Sequence, residues 1–118
     1  MTIYKNGNTD ISGYTRLGTV AESSPRIKMK ELSSTTAGTN TGTAAIPHGL
    51  TSSKIIGVEA LVEYSTGSFV PVAYTYAPEL NFNYLITASD IIIVNNASTC
   101  AGTSICSKPV KVVVTYKE

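Results

Sequence analysis

At 118 residues the chain is long enough for one domain with its own core. Its formal net charge of +1 and isoelectric point near 7.7 give no electrostatic case for nucleic acid or for an anionic membrane surface. Charged residues are only 14%, while Ser and Thr make up about a quarter of the chain, a surface chemistry of hydroxyls rather than charges that is common in extracellular β proteins and virion proteins. No run approaches the length of a membrane span, so no membrane insertion is expected. The opening, MTIYKNGNTD, lacks a basic-then-apolar signal, so any route out of the cell is expected to be something other than ordinary secretion, cell lysis with assembled particles being one such route.

Residues 1–25 are rich in Gly, Asn, Ser and Thr, with isolated apolar residues at Ile3, Tyr4, Ile11, Tyr14, Leu17 and Val20. They hold neither a period of 2 nor one of 3.6. They are expected to form an extended N-terminal arm that orders against a neighbouring copy or another protein, or stays mobile. A domain over residues 26–118 follows. Arg26–Leu32 reads as a strand, with Ile27 and Met29 on one face and Lys28 and Lys30 on the other. Residues 33–43 are a polar loop or weak edge strand, and Thr43–Ile46 is a short strand ended by Pro47.

Lys54–Tyr64 is the longest strand signal. Ile56, Val58, Ala60, Val62 and Tyr64 share a wholly apolar face, and Ile55, Gly57, Glu59, Leu61 and Glu63 share a mixed one. Thr66-Gly67 reads as a hairpin turn into a strand over Ser68–Tyr76. There Val70, Val72, Tyr74 and Tyr76 face one way, and Pro71 marks an edge position or a bulge. Ala77–Glu79 is a turn, Asn81–Thr87 alternates again, Ile91–Val94 is a short dense strand, and residues 95–107 are a polar loop. Lys108–Lys117 closes the chain with Val110, Val112, Val114 and Tyr116 on one face. About seven strands without a helix predict an all-β fold: an antiparallel β-sandwich, jelly-roll-like, preceded by the arm.

Few residues suggest chemistry, and no cofactor, metal site or catalytic residue is expected. His48 is the single histidine and stands in sequence without a nucleophile motif or acidic cluster. It reads as a loop residue whose ring donates to a carbonyl. Glu59 and Glu63 are about 13 Å apart along an extended strand, which fits solvated or inter-subunit charges better than a glycosidase pair. Tyr74, Tyr76, Asn81, Asn83 and Tyr84 form a candidate glycan shelf, set against the ordinary use of aromatics in core or interface packing. Glu59, Leu61, Glu63, Phe69 and Val113, on second faces, are candidate subunit contacts. Cys100 and Cys106 either close a short disulfide loop or stand as thiols on either side of a turn. Asn96-Ala97-Ser98 matches a glycosylation sequon, read as chance.

The segments IPHGLTSSKIIGVEALVEY, GSFVPVAYTY, FNYLITASDIIIVNN and KPVKVVVTYKE together resemble small virion proteins of tailed bacteriophages: head-fibre, tail-fibre and capsid-decoration domains. The likeness covers residues 25–118. It rests on an "HGL…KI" lead into the central strand and a "D-I-I-I" strand before the last one. The resemblance implies a non-enzymatic virion protein, a homotrimer built into the particle, with its arm on other virion proteins. It implies contact either with capsid proteins or with a host surface glycan, and it carries over no catalytic residue.

Overall fold

A computed structural model describes the backbone of Thr2–Ile3, Thr9–Asp10 and Thr15–Arg16 and all of residues 26–118. The strands are β1 (Thr2–Ile3), β2 (Thr9–Asp10), β3 (Thr15–Arg16), β4 (Arg26–Thr35), β5 (Thr43–Pro47), β6 (Ile55–Ser65), β7 (Ser68–Pro71), β8 (Phe82–Ile86), β9 (Asp90–Asn95) and β10 (Pro109–Lys117). Single 3-10 turns at Ser52–Lys54 and Pro78–Leu80 are the helical elements among the described residues. Apart from β1–β3, the expected arm lies outside the described residues.

The strands from Arg26 onward form two antiparallel sheets. One runs β4-β10-β6-β7, with β3 added outside β4, and the other runs β5-β9-β8. The seven strands enclose one core drawn from both sheets: Ile46, Ala60, Val62, Val70, Phe82, Ile91, Ile93, Val110, Val112 and Val114, with Leu80, Ala97 and Ile105 from the connections. The expected antiparallel sandwich is what forms. Hairpins join β6 to β7 and β8 to β9, and the other connections pass from sheet to sheet in the jelly-roll manner.

Alternation explains most of the core. Val110, Val112 and Val114 of β10 are fully buried because β10 lies between β4 and β6 and turns every second residue inward. Ile91 and Ile93 do the same in β9. In β6 the expected inward face holds at Ala60 and Val62 but not at Ile56, which is 52% exposed. The pairing with β10 slips here: Thr115 lies opposite Gly57 and Tyr116 opposite Ile55, so Ile56 is the extra residue of a bulge. The slip reverses the alternation, and Ile55 packs on the core instead.

Two further differences have local causes. The strand expected over Ser68–Tyr76 ends at Pro71. Ala73 adopts a left-handed φ of 60° and donates its N–H to Phe82 O at 2.8 Å, which carries the chain across to the other sheet. On β4, Leu32 packs on the core while Met29 is 73% exposed, so the Ile27–Met29 side turns outward and the Lys28–Lys30 side inward. Residues 33–35, read as loop or weak edge, belong to this strand.

Truncation separates the two isoleucines. Ile55→Ala is expected to destabilise the fold by about 2 kcal/mol, and Ile56→Ala to stay within about 0.5 kcal/mol, both measured by urea denaturation. The opposite order would show that β6 keeps an unbroken register.

Candidate functional site

His48 ends the β5 segment and is fully buried. Leu50 N–H donates to its Nδ1 at 3.0 Å, which makes Nε2 the protonated nitrogen of the neutral ring, donating to Thr87 O at 3.0 Å. Its backbone N–H donates to Ser89 O at 3.1 Å, and its carbonyl accepts Lys30 Nζ at 2.7 Å. Both ring nitrogens are therefore committed to backbone groups. The residue ties the β5–β6 loop to the β8–β9 turn and to β4. Gly49, at φ 65°, makes the turn that brings Leu50 N–H back onto the ring.

Buried polar residues that a sequence reading passes over act similarly. Thr36 donates its hydroxyl to Ile105 O and accepts Lys108 N–H at 2.8 Å, while its own N–H donates to Lys108 O at 2.8 Å. Asn95 Nδ2 donates to Ala37 O and Thr39 O, both at 2.8 Å. Cys100 and Cys106 form a disulfide. It closes a loop that sends Ile105 into the core and is braced by Ser104 Oγ, which accepts Cys106 N–H at 3.3 Å and donates to Cys100 O at 3.4 Å.

The candidate contact residues come together on the outward face of the larger sheet. Register sets Val113 beside Glu59, Leu61 between Lys111 and Pro71, and Glu63 beside Phe69. Phe69 is exposed, with Lys111 Nζ 4.4 Å from its ring centroid, a cation over an aromatic face. Glu63 accepts the Gly67 N–H of the hairpin at 3.2 Å. The outward face of the smaller sheet is also apolar: Leu85, 48% exposed, lies beside Ile92, which lies beside Ala45. The sequence signal for this second face was the unbroken IIIV run, which puts Ile92 and Val94 opposite Ile91 and Ile93.

The candidate glycan residues do not form one shelf. Tyr74 packs against the core, with its ring 6.3 Å from that of Tyr76, which is 90% exposed. Tyr84 turns between the sheets and donates its hydroxyl to Val58 O at 3.2 Å. Asn83, its strand neighbour, is exposed on the opposite face. Asn81 Oδ1 is buried without a hydrogen-bond partner. Tyr84 also lines a cleft of about 410 Å³ with Val58, Glu59, Ala60, Leu61, Pro71 and Val72.

Among the described residues no group of three or more His, Cys, Asp or Glu stands close enough to hold a metal ion. Comparison with protein-family models, with curated proteins and with solved structures finds no match.

Two substitutions test these clamps. His48→Leu strands Leu50 N–H and Thr87 O and is expected to cost about 2–5 kcal/mol. Cys100→Ser with Cys106→Ser, which opens a short loop, is expected to cost about 2 kcal/mol in the chain-entropy account. Thermal or urea unfolding measures both. A His48→Leu protein as stable as the wild type would remove the clamp.

Proposed function

We propose that this chain is a non-enzymatic structural component of a bacteriophage particle, a head-fibre, decoration or fibre protein. In this reading it assembles with copies of itself as a homotrimer and contacts other virion proteins through residues 1–25. The observation that carries the self-assembly part is the outward surface of both sheets. On the smaller sheet Ala45, Ile92 and Leu85 stand side by side in register, while on the larger sheet Leu61, Phe69 and Val113 alternate with Glu59, Glu63 and Lys111. A contiguous apolar row on one outer face, and apolar residues interleaved with charges on the other, favour a protein that is covered in its working state. The residues most able to do chemistry are taken up by the fold: His48 by backbone partners and both cysteines by their disulfide. The virion assignment draws on the sequence resemblance.

A second reading, a receptor-binding module for host surface glycans, is favoured by one observation. The paired rings of Tyr74 and Tyr76, the latter almost wholly exposed, offer an aromatic face to a sugar.

Light scattering at micromolar concentration is expected to give a trimer, and a stable monomer would overturn the proposal. Removal of residues 1–20 is expected to leave the two sheets folded by circular dichroism while abolishing attachment to particles; loss of the fold would place the arm in the core. On a glycan array, hits lost on Tyr76→Ala would support the second reading. No hits, or hits indifferent to Tyr76→Ala and Tyr84→Ala, would end it.

A further inference from the structure

β6 is eleven residues long and its edge neighbour β7 only four. β7 pairs with residues 61–65 of β6, whereas β10 pairs with β6 along nearly its whole length on the other side. Among the described residues, 55–60 of β6 therefore have a strand on one side only. The cleft of about 410 Å³ lies along this stretch. Its walls include Val58, Glu59, Ala60 and Leu61, four consecutive residues, so both faces of the strand contribute and the cleft follows the backbone edge. Pro71 and Val72, where the chain leaves the sheet, stand at one end, so an incoming strand would continue the line of β7. The bond from the Tyr84 hydroxyl shows that Val58 C=O points away from β10 toward this cleft. Ala60, two residues on, turns its peptide groups the same way.

The open edge of β4 is better protected. β4 beyond its short pairing with β3 carries Lys28, Lys30 and Glu31, the kind of charge that blunts an edge. The cleft at β6 holds a single charge, Glu59.

We infer that this slot takes residues 2–7 (TIYKNG) of a second copy, added as a strand to residues 55–60 of β6. The inference rests on the reading of the protein as a self-assembling component and names the contact. Six residues match the open length. Lys5, the segment's one charged side chain, meets Glu59, the slot's one charge. Thr2–Ile3 is already extended. Among the described residues it pairs with Thr9–Asp10, in a two-stranded sheet joined to neither of the others, and so small a sheet needs a further partner for stability. The chain from Lys5 to Arg26 spans up to about 70 Å when extended, ample to reach a neighbour. The segment of one copy enters the slot of the next, a head-to-tail contact that three copies arranged in a ring would satisfy at every slot.

Sedimentation of the full chain over a concentration series tests this with Glu59→Lys, Lys5→Glu and the double variant, each checked for fold by circular dichroism. Each single variant is expected to weaken association about tenfold or more, and the double variant to recover most of the loss. In the wild-type oligomer the Ala60 amide is expected to be protected from hydrogen exchange, and in the Lys5→Glu protein to exchange freely. An oligomer indifferent to both single variants, or one with an unprotected Ala60 amide, overturns this contact and leaves self-assembly standing. A wild type that is monomeric at every concentration overturns both.

Discussion

A chain that weaves between two sheets must pass its backbone over the ends of the core, and every peptide group it buries there needs a partner. This constraint organises the molecule. The β4–β5 crossing is held by Thr36 and Asn95, which bond four main-chain groups directly through their side chains. The β5–β6 crossing is held by His48, whose ring bonds one N–H and one C=O. The β7–β8 crossing uses backbone alone, through Ala73 and Phe82. The β9–β10 crossing, the longest, combines the disulfide, Ser104 and the hydroxyl of Thr36. Thr36 thus serves two crossings at once, so disturbance of either reaches the other.

The strands themselves were legible because a period of two survives wherever one face is buried and the other is not. Lys54–Tyr64 and Lys108–Lys117 show this within a residue or so of their observed bounds. What was not legible depends on partners distant in the chain. The bulge at Ile56 is a property of the pairing with β10, more than fifty residues on, and nothing local to KIIGVE announces it. The early end of β7 had a local hint in Pro71, but the turn at Ala73 is set by its bond to Phe82 in the other sheet. Thr36, Asn95 and Ser104 sit in stretches whose composition reads as surface loop, yet they are buried because their side chains replace water for the backbone.

The same division runs through the surface. Glu59, Leu61, Glu63, Phe69 and Val113 were accessible to sequence reasoning because second-face positions can be counted off along a strand, and the register brings them side by side. The tyrosines and asparagines could not be placed by counting. Asn83 and Tyr84 are adjacent and so point to opposite sides, and Tyr74 and Tyr76 lie beyond the end of the strand that was expected to align them. The cleft at the β6 edge needed three things at once: a long strand, a short neighbour and a tyrosine from the other sheet.

The middle strand of the larger sheet comes after all its sheet neighbours in sequence order. As residues are added in order, β4 and β6 are made long before the strand that joins them, and until residues 109–117 exist the two have no hydrogen-bonded link. The valines that fill the centre of the core arrive with that strand. The fold therefore cannot be completed stepwise during synthesis. The apolar faces of β6 and β9 stay incompletely covered until residues 109–117 are made, and such non-local closure is intrinsically slow. This interval is when neighbouring chains are best able to pair in the wrong order.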